Sequence, residues 1–255
     1  MVLESKLRPG EAMIRVEGVT KFYFGEPVLR DINLEVPAGS NLGLIGPGGS
    51  GKSLLLKIVA GLVEPDRGRV FVDGHDIQAL SITDLAALRF KIGMLFQNYA
   101  LFDFMNVSEN IAFPLRQAGG FEEDAIQKRV KEQLELVGLP GIGHQYANEL
   151  SGGMKKRVSF CRAVITEPPI LFYDDPTAGL DPVTSSKIFI HLRRMQQRGG
   201  TTAITITHDI EGLKDICDAF AMMERGRLIF HGSRDAIEDC EIKLVRQFWE
   251  GVSDD

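Results

Sequence analysis

The stretch NLGLI at Asn41–Ile45, running into GPGGSGKS at Gly46–Ser53, decides the fold. The octapeptide fits the pattern G-x-x-x-x-G-K-[ST], and its flanks are right: an apolar strand before it and KSLLLKIVAGL after it. That second flank sets Leu54, Leu55, Ile58 and Val59 on one helical face and stops near Gly61. Strand, glycine-rich bend and helix in this order make a phosphate cradle. Gly46, Pro47, Gly48, Gly49, Ser50 and Gly51 let successive N–H groups turn inward, and the helix N-terminus adds a favourable dipole. Lys52 brings a mobile cation to the β- and γ-phosphates of a nucleotide, and Ser53 offers a hydroxyl to Mg²⁺. A glycine-rich turn matched by chance has no reason to sit between a strand and a helix.

Outward from this motif the chain divides by character. After a polar stretch of ten residues, VEGVTKFYF, VLRDINLEV and RVFVDG read as strands bounded by Gly or Pro. From Asn98 to about Thr166 the pattern turns helical. EEDAIQKRVKEQLELVGL has acids in its first turn, Ile126, Val130, Leu134 and Val137 at helical spacing, and Gly138 as its stop. Strands resume with PILFYDD, TTAITITHD and AFAMMERGRLIFHG. The expectation is an α/β P-loop NTPase core with an antiparallel β subdomain, formed by residues 11–97 and 166–233. A helical subdomain is inserted at 98–165, and a C-terminal extension covers 234–255, where Ile242, Val245, Trp249 and Val252 recur at helical spacing.

Two further strings carry chemistry. Ile170–Tyr173 is a continuous apolar run, as in a strand covered on both faces, and it ends in Asp174-Asp175 where an open α/β sheet gathers ligands. Asp174 there completes the metal site begun by Ser53, and Asp175, one step on, orients or polarises the attacking water. Paired acids after a strand also serve as plain turns or caps; the upstream loop is what favours function. LSGGMKKRVSFCRAV reads as a helix capped by Ser151, with Gly152 and Gly153 leaving N–H groups open and Val158, Cys161 and Ile165 as a buried stripe. By itself this is an ordinary capped helix, with Lys155-Lys156-Arg157 as a solvated face.

The bulk properties agree with a globule. Of 255 residues, 44% are hydrophobic and 25% charged, and a net charge of −6 disfavours nucleic acid as main partner. Cys161, Cys217 and Cys240 have no CxxC spacing, so they read as thiols rather than a disulfide frame or zinc site. No apolar run reaches the length of a membrane span, and MVLESKLRPGEAM lacks a signal core, which points to the cytosol.

In this order and spacing, GPGGSGKS, LSGGMKKR and ILFYDDP resemble the nucleotide-binding subunit of an ABC transporter, a likeness running from about Met13 to Gly232. The resemblance implies ATP and Mg²⁺ as cofactors and a head-to-tail homodimer. In that dimer Ser151, Gly152 and Gly153 act in trans on the partner's ATP. It implies that Gln97 senses Mg²⁺ and the membrane partner, that the loop Ala178–Asp181 joins the two sites through Asp181, and that His208 touches the γ-phosphate. Tyr23 matches the aromatic that stacks on adenine, with Phe22 and Phe24 as alternatives. One departure stands out: the family usually has Glu where this chain has Asp175. A carboxylate one methylene shorter sits roughly 1.5 Å back, so hydrolysis is slow unless the backbone shifts to restore reach.

Met94–Gln117, the signature LSGGM and the ending LVRQFWEG resemble the ATPase of Mla-type, Mce-associated phospholipid transport systems. That implies two permease subunits, an MCE-domain lipid-binding protein reached through them, and residence on the cytoplasmic face of an inner membrane. The aromatic-rich Tyr99, Leu101, Phe102, Phe104, Met105 and Val107 are then either a permease groove or helical core. Phe248 and Trp249 either hold the dimer or pack on their own domain. An importer of amino acids or another small solute uses the same motor, and only its permease distinguishes it. A non-hydrolysing subunit requires Asp175 to be incompetent. Soluble DNA-repair or translation ATPases of this kind carry coiled coils or two cassettes, and this chain has neither.

Overall fold

The computed structural model describes residues 3–8 and 11–251, apart from the side chains of residues 196, 198 and 199. The chain enters a long hairpin of β1 (Ala12–Tyr23) and β2 (Glu26–Pro37), then β3 (Asn41–Ile45), which feeds α1 (Lys52–Val59). β4 (Arg67–Val72) and β5 (His75–Asp76) follow, then α2 (Ile82–Arg89) and β6 (Ile92–Leu95). Residues 98–165 hold α3 (Val107–Ala118), α4 (Glu123–Leu136), a 3-10 turn at Ala147–Glu149 and α5 (Gly152–Val164). The remainder alternates β7 (Ile170–Asp174), α6 (Pro182–Gly199), β8 (Thr202–Ile206) and α7 (Ile210–Ile216). It closes with the β9 (Ala219–Glu224) and β10 (Arg227–Ser233) hairpin, α8 (Arg234–Glu238) and α9 (Lys243–Glu250).

Two sheets result. Four antiparallel strands run β2-β1-β4-β5, and six run β10-β9-β3-β8-β7-β6, parallel except for β10 at the edge. All five residues of β3, β7 and β8 are buried, because the sheet is covered on both faces. Alternation sends their side chains to opposite sides. Leu42, Leu44, Ile170, Phe172, Ile204 and Ile206 pack with α1 and the antiparallel sheet. Ile45, Leu171 and Tyr173 pack instead with α3, α4 and α5. The order β3-β8-β7 brings the C-terminal ends of β3 and β7 to one edge of the sheet, where Gly46–Ser53 and Asp174-Asp175 emerge.

Several details depart from the expected pattern. Leu56 joins the buried face of α1 while Leu54 is only partly covered. Helix α2 is unheralded because it has almost no apolar face: Leu88 is its buried residue, and its start is set by Ser81, whose Oγ accepts from Asp84 N at 3.1 Å. The polar N-terminal stretch is laid against the β4–β5 turn. Lys6 N donates to Asp73 O at 3.1 Å, Ser5 Oγ bonds the Asp73 carboxylate, and His75 Nε2 meets Glu4 O at 2.7 Å.

The extension folds onto its own chain. Val245 and Trp249 of α9 are buried, and the indole packs edge-on against Phe220 with ring centres 4.7 Å apart. Lys214 Nζ lies 4.6 Å from the indole centre on the same residue, and Phe248 is partly buried against the same core. Ile242 stays exposed, and Val252 lies outside the described residues. The Trp249 ring is therefore packed within its own chain. Trp249→Ala is expected to lower unfolding stability by about 3 kcal/mol, read from a urea midpoint on monomeric protein. A side chain serving only a dimer contact would leave that midpoint unmoved.

Candidate nucleotide site

Local backbone geometry builds the loop. Gly46 is buried with φ 135°, and a Cβ there would lie 2.1 Å from Met223 O, so β9 forbids any side chain at this position. Gly51, with φ 104°, starts α1, and a Cβ there would lie 2.5 Å from a Leu29 methyl. Between them Gly48 and Gly49 stay exposed. Lys52 folds back across the bend: its Nζ donates to Gly46 O at 2.7 Å, Pro47 O at 2.8 Å and Ser50 Oγ at 3.4 Å. Burial lowers its pKa, and the charges of Asp174 and Asp175 pull it back up.

The loop meets the acids directly. Ser53 Oγ donates to Asp174 Oδ1 at 3.0 Å. Burial pushes the Asp174 carboxyl up, with Asp175 adding to the rise, while the Ser53 hydroxyl and the charges of Lys57 and Lys156 oppose it. A hydroxyl on a buried, charge-strained carboxylate, beside an anion cradle, suits a small divalent cation with oxygen ligands. Among the described residues no three His, Cys, Asp or Glu gather as a cage. Mg²⁺ needs none, since one or two protein oxygens plus phosphate and water satisfy it. Ser53 and Asp174 would hold such an ion, which would draw charge off the phosphates.

Asp175 sits in the left-handed region at φ 59°, unusual for a residue with a side chain. Its N–H donates to Ile206 O at 2.8 Å, and its Oδ1 accepts from Thr207 Oγ1 at 3.2 Å. Lys156 Nζ donates to its carbonyl at 2.7 Å. This corrects the reading of Lys155-Lys156-Arg157 as a solvated face: Lys156 is 2% exposed and turned inward, and Arg157 reaches Val137 O at 3.1 Å. Burial lowers the Lys156 pKa against the raising effect of Asp175 and Asp174. Lys156 and Thr207 were missed because a cation run and a strand-end threonine look like surface until the packing is known.

The other candidates are placed as follows. His208, exposed after β8, lines a cleft of about 660 Å³ with Asp175, Thr207, Ala178 and Leu180. Gln97 is exposed in the turn after β6. Tyr23 and Phe24 are exposed at the end of β1, whereas Phe22 is half-buried with Arg67 Cζ 5.6 Å from its ring centre. Ser151 caps α5, its Oγ accepting from Met154 N at 3.3 Å, and a Cβ on Gly153 would lie 3.3 Å from Leu180. Asp181 caps α6 through Thr184 N at 3.0 Å and Thr184 Oγ1 at 2.6 Å, bonds that hold its carboxyl below the usual range. Among the described residues no hydrogen bond joins Ser151–Gly153 to the loop at Gly46–Ser53.

Residues 29–178, from β2 through the loop and the paired acids, match the family model described as ABC transporter. The chain belongs to that family. This ABC cassette is 41% identical over 229 residues to the methionine import ATP-binding protein MetN of Desulfitobacterium hafniense, covering 88% of this chain and 67% of that one. It is 37% identical to the probable ribonucleotide transport ATP-binding protein mkl of Mycobacterium leprae, covering 95% of this chain and 70% of that one. The chain thus spans about two thirds of the length of these relatives. Among solved structures it superposes on a dimeric ATP-binding cassette in a post-hydrolysis state bound to ADP and Pi. The TM-score there is 0.82 with 31% identity, covering 87% of this chain and 98% of that one. Among the described residues of the cassette no helix is long and apolar enough to cross a membrane.

Proposed function

We propose that this cassette is the ATP-hydrolysing subunit of a membrane transporter, acting as a homodimer on two permease subunits at the cytoplasmic face of the membrane. The observation that carries this is the junction of the phosphate loop with the paired acids, Ser53 on Asp174 with Asp175 alongside. In this reading Gly46–Ser53 and Lys52 grip the phosphates, Ser53, Gln97 and Asp174 hold Mg²⁺, and Tyr23 stacks on adenine. Asp175 orients the water, His208 contacts the γ-phosphate, and Ser151–Gly153 close over the partner's ATP with Asp181 joining the two sites. Residues 98–165 serve as the signature-bearing subdomain. Exposure of Ser151 at the N-terminus of α5 supports a role in trans.

The permease side is the apolar groove of about 650 Å³ lined by Leu62, Phe90, Phe96, Phe102, Phe113 and Phe121. Of the aromatic-rich stretch, Val107 is core, Phe104 is exposed, and Leu101, Phe102 and Met105 are half-covered. A permease helix entering there would cover apolar surface just beyond Gln97.

For cargo we favour phospholipid moved between inner and outer membranes with an MCE-type system, on the likeness of Met94–Gln117, LSGGM and the α9 ending. A small-solute importer is the second reading, favoured by the methionine-import relative. Capture from native membranes followed by mass spectrometry separates them. An MCE-domain protein recovered with its permease supports lipid transport, and an amino-acid permease overturns it.

A further inference from the structure

One face of α5 carries contacts that nucleotide binding does not require. Lys156, Ser159 and Arg162 recur at helical spacing and all turn inward. Lys156 Nζ holds the Asp175 carbonyl at 2.7 Å and stands 5.5 Å from the centre of the Tyr99 ring. Ser159 Oγ bonds Tyr99 O, while Arg162 donates to Tyr99 O at 3.0 Å and Ala100 O at 2.7 Å. Tyr99 and Ala100 have φ of 61° and 51°, and Asp175 has 59°. All three are side-chain-bearing residues in left-handed backbone, a conformation that persists only where neighbours over-determine it.

At Asp175 the three restraints differ in origin. Ile206 and Thr207 belong to β8 and its end, so they tie the residue to the sheet. The bond from Lys156 comes from a helix outside the sheet, and it costs the burial of an ammonium group. That cost is offset by the bond to the Asp175 carbonyl and by the nearby charges of Asp175 and Asp174, so the buried cation is tied to this turn.

We propose that Lys156 is a positioning residue for Asp175: holding the Asp175 carbonyl, it fixes the left-handed turn that aims the short carboxylate, and through Tyr99 it ties that turn to the bend behind Gln97. The inference rests on the reading of Asp175 as the group that orients water. The signature helix thereby bears at its start on the partner's site and four residues on, at Lys156, on its own.

The test uses the full chain with Mg-ATP, measuring kcat and KM for Lys156→Met, Lys156→Arg and Asp175→Asn, with single-turnover rates for the double variant. Lys156→Met is expected to lower kcat by on the order of tenfold to a hundredfold, with KM held within about twofold. Lys156→Arg, which keeps a long donor, should recover most of the rate. The double variant should be no slower than Asp175→Asn alone, since Lys156 acts through Asp175. If Lys156→Met unfolds, Lys156→Gln carries the same expectation. A kcat within about twofold of wild type, or losses that multiply in the double variant, would overturn the role of Lys156 while a dead Asp175→Asn upheld that of Asp175. An Asp175→Asn variant as fast as wild type would overturn both.

Discussion

Lys52→Met is expected to cut ATP turnover by on the order of a hundredfold to a thousandfold, the cost of removing one preorganised charge from a developing anion. The fold should survive the change. The loop is tied independently by Ser50 N to Pro47 O at 3.3 Å and by Gly226 N to Ser50 O at 3.1 Å. Its bends are set by Gly46 and Gly51, neither of which the substitution alters. The lysine itself is buried, with Nζ bonded to Gly46 O and Pro47 O, so its ammonium is held at the loop rather than searching through rotamers in solvent. Steady-state phosphate release with Mg-ATP measures the loss, and a thermal melt confirms folding. Turnover within about tenfold of wild type would show that the backbone cradle does most of the work and that the cation is secondary.

Asp175→Glu is expected to raise kcat by on the order of tenfold to a hundredfold, the converse of the penalty for a reacting group misplaced by about an ångström. The structure bears on the alternative, a backbone shift that restores reach. Asp175 is held at its N–H by Ile206, at its carbonyl by Lys156 and at its carboxylate by Thr207. A forward shift would break at least one of these bonds. The longer side chain gains its reach without moving the backbone. Pre-steady-state and steady-state phosphate release together place any gain in the chemical step. A lower rate in Asp175→Glu would mean that this pocket is built around the shorter acid, and the reach argument would fall.

How much of this was legible beforehand depended on how local the cause was. Gly46–Ser53 stood out because a bend that presents its N–H groups demands glycines at fixed offsets, and β3 and α1 flank it with their own periodicities. The α4 face at Ile126, Val130 and Leu134, continued by Val137 at its C-cap, was equally plain, since its members follow from 3.6 residues per turn. Helix α2 was not legible, because a helix that buries little more than Leu88 leaves no apolar rhythm to find. The candidate site divides the same way. Loop, acids and capped signature helix each announce themselves in a few consecutive residues, whereas Thr207 and Lys156 gain their meaning from Asp175, which lies 32 and 19 residues away.

By itself, then, the order of residues determined the glycine-rich loop between β3 and α1, the family, and those strands and helices that carry an apolar rhythm, since each of these is a demand that neighbouring residues place on the same short piece of backbone. Only the tertiary structure decided that Trp249 lies on Phe220 within one chain, that the N-terminal stretch is bound to Asp73, and that one lysine of a run of cations is buried against Asp175. These are pairings between distant segments. A side chain that looks solvated on its own helix becomes buried or bonded only when packing brings a second element against it.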